Sequence, residues 1–159
     1  MEIYLLRHGI AEDGRAGQPD ADRELTSEGR EKLRRVLKRA RAADVSPTLI
    51  LSSPYKRAVQ TANVAAEVLE YKSSIEETKA LLPDAPPHEI WEEIRARRDE
   101  SAILLASHEP LMSTLAAFLL GSPTLQVDMK KAALLRIDCD HFGREPHAIL
   151  KWMITPALA

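Results

Sequence analysis

Apolar positions along this chain follow two rhythms. Glu2–Leu6, Thr48–Ser52 and Ala102–Ala106 are short, largely apolar runs, the mark of strands buried on both faces. Elsewhere apolar residues recur every three or four positions. Leu33, Val36, Leu37 and Ala40 form one stripe behind Thr26, which is placed to cap a helix, while Arg34, Arg35, Lys38, Arg39 and Arg41 fall mainly on the other face. Ala58, Ala62, Ala65, Ala66 and Leu69 form a second stripe, on a helix from about Tyr55 to Glu70 that follows Pro54. Two more helices are predicted, over Pro87–Arg98 around Ile90, Trp91 and Ile94, and over Glu109–Leu120, the latter stopped at Gly121. Ser74–Thr78 is a weaker strand. Ala133–Asp138 and His147–Met153, either side of Gly143, read as a terminal antiparallel pair. Ala11–Glu24 is a polar loop, and the three prolines of Leu81–Pro87 make that segment irregular. Alternating strands and helices predict an α/β fold, with helices flanking a mainly parallel sheet and antiparallel strands at the C-terminal end. Residues 1–159 are expected to form a single domain.

Composition narrows the class. The 22 basic and 24 acidic residues leave a formal net charge of −2, whereas a general nucleic-acid binder carries a basic excess. Cys139 is the only cysteine, so no disulfide can form within the chain and an oxidising compartment gains no support. The apolar run at the N-terminus is too short for a signal peptide and no later stretch is long enough to cross a bilayer. A cytoplasmic protein with no membrane association is expected.

Candidate chemistry sits at equivalent places in the strand–helix pattern. Arg7-His8-Gly9 directly follows the first strand, Arg57 lies in the first turn of the helix after the second, and His108 follows the strand ending at Ala106. Ligands of open parallel sheets bind beyond the carboxyl ends of the strands, where helix N-termini also present free N–H groups that suit an anion. Each residue alone has a plainer reading: a structural histidine, a surface arginine, a turn glycine. Two arginines and two histidines on one rim describe a phosphate site.

The same residues carry a family resemblance. Arg7-His8-Gly9 resembles the signature of the histidine phosphatase (phosphoglycerate mutase-like) superfamily. Leu25-Thr26-Ser27-Glu28-Gly29 resembles its Leu-Thr-x-x-Gly helix start, Ser52-Ser53-Pro54-Tyr55-Lys56-Arg57-Ala58-Val59-Gln60-Thr61-Ala62 its second motif, and Ser107-His108-Glu109-Pro110 its second-histidine motif. The mutases and cofactor-type phosphatases tend to carry Ser or Thr, then Asn, where this chain has Ala11 and Gly14. Arg-His-Gly-x-Ala on a short domain without insertions is similar to the SixA-type phosphohistidine phosphatases.

That resemblance implies His8 as nucleophile, forming a covalent phosphohistidine, with Arg7, Gly9, Arg57 and His108 binding the phosphoryl group and Arg7, Arg57 and His108 taking part in catalysis. No cofactor or metal is implied, because the arginines already supply positive charge, and clustered Cys/His ligands or a Walker-type loop are absent from the sequence. The implied partner is a phosphohistidine-bearing signalling or phosphotransfer protein. Relatives that cleave phosphate esters hold a carboxylate over the site; Asp84 is the nearest candidate proton donor and Glu89 the next, though both also read as solvated residues, and Glu109 is another candidate by adjacency to His108 that also reads as a helix-start acid. A phosphatase for a small phosphate ester and a non-catalytic phosphate-binding module are the alternatives. The basic run Arg34–Arg41 reads as a solvated helix face or a docking surface for an acidic protein. Asp13, Asp20, Asp22 and Glu24 share a loop and could bind a cation, although their spacing matches no calcium loop. His88, His141 and His147 read as structural or exposed, and Trp91 and Trp152 as core residues.

Overall fold

The computed structural model describes every residue from Met1 to Ala159. Its strands are β1 (Glu2–Arg7), β2 (Leu49–Ser52), β3 (Glu76–Glu77), β4 (Ala102–Ser107), β5 (Leu134–Asp138) and β6 (Ile149–Ile154). Its helices are α1 (Ser27–Arg41), α2 (Lys56–Val68), α3 (Pro87–Ala96) and α4 (Leu111–Leu119). One sheet holds all six strands in the order β3-β2-β4-β1-β5-β6. β3, β2, β4 and β1 run parallel, while β5 is antiparallel to β1 and to β6. This is the α/β architecture expected from the sequence.

The period of two along each central strand sorts the core into two layers. Ile3 and Leu5 of β1, Leu49 and Leu51 of β2, and Ile103 and Leu105 of β4 pack with Ile90, Trp91 and Ile94 of α3 and Leu111, Met112 and Leu115 of α4. Their neighbours Tyr4, Leu6, Ile50 and Leu104 face the other way, against Leu33, Val36 and Leu37 of α1 and Ala62, Ala65 and Val68 of α2. Fully burying a leucine or isoleucine side chain stabilises by roughly 1.5–3 kcal/mol, so the β1–β2–β4 unit anchors everything attached to its ends. No helix is long and apolar enough to cross a membrane.

Several boundaries differ from the sequence reading. β3 shrinks to two exposed residues at the sheet edge, where little apolar burial rewards a longer strand. α4 starts at Leu111 rather than Glu109, because His108–Pro110 first turn across the strand end and the α4 ladder begins only with Met112 N–H donating to the His108 carbonyl. Trp91 is fully buried, with its indole N–H donating to the Arg144 carbonyl, whereas Trp152 is only half-buried against Tyr4.

Candidate active site

The carboxyl ends of β1, β2 and β4 lie side by side, because β4 pairs in parallel with both of the others. The chain buries seven polar or charged side chains: His8, Ser52, Ser53, Arg57, Thr61, Ser107 and His108. Every one belongs to this rim or to the first turns of α2. Burying polar groups is unfavourable unless they are paired, so a concentration at one end of the sheet marks a built site.

A brace holds the Arg7-His8-Gly9 turn. Thr26 Oγ1 accepts from Gly29 N–H at 2.9 Å, capping α1, while Thr26 N–H donates to the Ile10 carbonyl at 2.9 Å. A Cβ on Gly29 would stand 2.2 Å from that Ile10 carbonyl oxygen, so the helix can sit on the turn only with glycine there. Gly9 N–H donates to Thr61 Oγ1 at 3.2 Å, and that hydroxyl donates to the Arg57 carbonyl at 2.7 Å. The first and second motifs are thereby tied together.

His8 is 7% exposed, and its Nδ1 lies 2.7 Å from the Gly9 carbonyl oxygen. A carbonyl oxygen can only accept, so Nδ1 carries the hydrogen and Nε2 presents its lone pair. Arg57 Nε donates to that Nε2 at 3.4 Å. Burial lowers the His8 pKa to about 4; the Gly9 hydrogen bond opposes this, and the Arg57 and Arg7 cations add to it. The imidazole is therefore neutral near pH 7.

His108 faces His8 with ring centroids 5.2 Å apart, and its Nε2 is 2.8 Å from Ser53 Oγ. Burial lowers its pKa to about 3, helped by His8 and Arg57. Arg57 is 4% exposed and donates from Nη1 to the Asp20 carbonyl at 2.8 Å and from Nη2 to Asp20 Oδ2 at 3.0 Å. Arg7 donates from Nη1 to the Met129 carbonyl at 2.6 Å. Two buried side-chain atoms in the chain lack a hydrogen-bond partner, Arg7 Nε and His108 Nδ1, and both belong to residues of this rim. Two unsatisfied nitrogens together with an unprotonated imidazole nitrogen, held only by a long bond from Arg57, and a buried guanidinium fit an anionic group with several oxygens.

Residues 3–81 match the family model described as histidine phosphatase superfamily, branch 1. An uncharacterized protein of Picosynechococcus sp. is 30% identical over 85% of this chain and 83% of its own length. This chain belongs to the histidine phosphatase superfamily. Within it, phosphohistidine phosphatase SixA of Escherichia coli K12 is 27% identical over 98% of this chain and 94% of its own. The solved structure of the protein histidine phosphatase SixA complexed with tungstate superposes with a TM-score of 0.88 at 26% identity, covering 99% of this chain and 98% of that one. A mycobacterial glucosyl-3-phosphoglycerate phosphatase shares the fold, with a TM-score of 0.70 at 20% identity over 94% and 96% of the two chains.

Of the residues the sequence singled out, Arg7, His8, Gly9, Arg57 and His108 come together on the histidine phosphatase rim. Asp84 and Glu89 are both exposed, and neither makes a hydrogen bond to a rim residue. Glu109 accepts the Ser113 N–H at 2.9 Å, as a helix-start acid does, and its charge also acts on Arg7. The acidic loop forms no cation cage, since no three of the His, Cys, Asp and Glu side chains cluster as metal ligands would. It acts on the arginines instead: Asp20 holds Arg57 and also Arg23, at 2.9 Å, while Glu24 pairs with Lys56 at 3.1 Å. Sequence reasoning missed Asp20 in this role because nothing local links it to Arg57, 37 positions away. Thr61, by contrast, stood one helical turn after Arg57, a spacing that puts both on one face.

Proposed function

We propose that this protein is a cytosolic phosphohistidine phosphatase that acts on a phosphorylated signalling or phosphotransfer protein through a covalent intermediate on His8. The observation that carries the reading is that one rim holds His8, with Nε2 unprotonated, and the unpartnered Arg7 Nε and His108 Nδ1. Similarity to SixA across nearly the whole chain supports the substrate class.

In the first step, the Nε2 lone pair of His8 attacks phosphorus and a P–N bond forms to His8, while the bond from phosphorus to the substrate ring breaks and that ring, its other nitrogen already carrying a hydrogen, leaves as neutral imidazole. Arg57 and Arg7 neutralise the equatorial oxygens with charge-assisted hydrogen bonds, the main task in phosphoryl transfer. His108 completes the cradle. Ser53 Oγ accepts from Tyr55 N–H at 3.3 Å and can donate its own hydrogen to His108 Nε2, which leaves the ring hydrogen on Nδ1, facing the anion. Water then attacks phosphorus, the P–Nε2 bond breaks, and inorganic phosphate leaves with His8 restored.

The leaving group favours phosphohistidine over esters. A departing imidazole has a conjugate acid of pKa about 6.5, whereas an alkoxide requires a well-placed donor, and Asp84 and Glu89 lie exposed, without a hydrogen bond to the rim. The test compares a phosphohistidine peptide, an aryl phosphate and alkyl phosphates on the same enzyme. Phosphohistidine and aryl phosphate should be cleaved far faster than alkyl phosphates, with acid-labile label trapped on His8. Equal turnover of alkyl phosphates that collapses in Asp84→Asn or Glu89→Gln would assign the protein to the ester-cleaving branch.

A further inference from the structure

Beside Arg7 the surface opens into a groove of about 730 Å³ between α1, the Met129–Lys131 loop and the C-terminal turn at Pro156. Five cationic residues line it, Arg7, Lys32, Arg35, Lys130 and Lys131, and no carboxylate does. This is not general basicity, because the chain as a whole carries a formal net charge of −2. The structure also divides the basic run on α1. Arg34 and Arg41 are engaged by Glu67 and Glu70 of the neighbouring helix end, each at 2.8 Å. Arg35 points elsewhere and reaches the Pro156 carbonyl at 3.4 Å. Lys131 is exposed and near enough to His8 to bear on its protonation. Lys32 and Lys130 have local partners in Glu28 and Asp128 at 2.8 Å, but exposed pairs of this kind are worth roughly 0–1 kcal/mol and exchange readily for another anion.

We infer that this groove seats an acidic stretch of the protein whose phosphohistidine is cleaved. The inference rests on the reading of the site given above and adds the surface that selects the partner. Continuity carries it: Arg7 is at once a wall of the groove and part of the phosphate clamp, so a chain lying in the groove delivers an adjacent side chain to His8. Size agrees, since volumes of about 300–1,000 Å³ accommodate a few residues of a ligand rather than one phosphoryl group. Charge complementarity selects carboxylates. Cations at an interface rim chiefly raise the rate of encounter and penalise partners lacking the opposite charge. A nucleic acid would call for a broader basic face than this groove, and Arg34 and Arg41 of the same helix are already paired with Glu67 and Glu70.

The test uses two peptides phosphorylated at a single histidine with phosphoramidate, identical except that one is flanked by glutamates and the other by glutamines. At low salt the intact enzyme should show a kcat/KM about tenfold higher on the glutamate peptide. The preference should fade at about 1 M salt, where the Debye length is about 3 Å. The Lys32→Glu, Arg35→Glu double variant, with circular dichroism confirming its fold, should lose or reverse the preference while keeping its rate on p-nitrophenyl phosphate and the glutamine peptide. Equal rates of the intact enzyme on both peptides, or a preference that survives in the double variant, would overturn the inference and leave phosphohistidine cleavage standing. If neither peptide is cleaved, the reading of the site fails instead. The groove is then judged by fluorescence anisotropy of both peptides on His8→Ala protein: tighter binding of the glutamate peptide, lost on adding the double substitution, supports it, and equal binding sinks it.

Discussion

The apolar length of β4 and the polar turn at its carboxyl end are built on opposite principles. From Ala102 to Ala106 the strand is apolar and buried, its side chains sorted alternately into the two helical layers. At Ser107 and His108, still buried, it becomes polar. β1 changes in the same way between Leu6 and His8, and β2 between Leu51 and Ser52. The apolar stretch holds the fold, and the polar end spends part of that stability on groups left incompletely paired. The contrast teaches that the site is a local departure from core packing, set where three strands stop together.

Substitutions on the two sides of that boundary should separate activity from stability. The largest effect belongs to His8. His8→Ala should lower phosphohistidine turnover by about 10⁴-fold or more, since removal of a nucleophile ends the covalent route, and should abolish acid-labile labelling while the thermal midpoint falls little. Leu104→Ala, in the apolar part of β4, should do the reverse. It should destabilise by about 2–5 kcal/mol in urea titration and leave kcat of the folded fraction nearly unchanged. A His8→Ala protein with near-normal activity would break the comparison outright.

Arg57 comes next. Arg57→Lys keeps the charge but loses the planar fork that meets His8 Nε2 and Asp20 together, and should lower kcat/KM by roughly 10²–10³-fold. Asp20→Asn should cost less, about tenfold, because Arg57 keeps its bond to the Asp20 carbonyl and loses one hydrogen bond to an exposed carboxylate. An Asp20→Asn protein that binds tungstate more tightly than the wild type would show that the carboxylate competes with the ligand and does not position the arginine.

Acid sharpens the same contrast. Both histidines have folded pKa values, about 4 for His8 and about 3 for His108, below the ordinary value of about 6.5. Between those limits the unfolded chain binds more protons than the folded one, so stability falls as pH drops from about 6.5 toward 4. Each histidine contributes at most about 1.4 kcal/mol per pH unit. Urea midpoints measured across that range should show the slope, and His108→Gln should reduce it. A slope that His108→Gln leaves unchanged would move the acid sensitivity away from the rim. At the small end, Ile149→Thr on β6, where the side chain is 65% exposed, should alter stability and activity by no more than about 0.5 kcal/mol.

Much of this organisation could be read along the chain. Uninterrupted apolar runs marked β1, β2 and β4, because strands buried on both faces leave no room for polar positions, and β4 alternates between the two layers as such strands must. Local stereochemistry fixed the start of α1, where Thr26 and Gly29 serve a cap and a close approach that few other residues allow. Motif order identified Arg7, His8, Gly9, Arg57 and His108, which parallel strands then bring to one rim. Tertiary structure alone decided the rest. It left Asp84 and Glu89 in solvent, turned Asp20 from a loop acid into the partner of Arg57, and split the basic face of α1 between helix pairing and a groove beside Arg7. The physical reason is common to all three. Periodicity and capping depend on residues within a turn or two of one another, whereas the partner of a long charged side chain depends on which distant segments the packed core brings within a few ångströms.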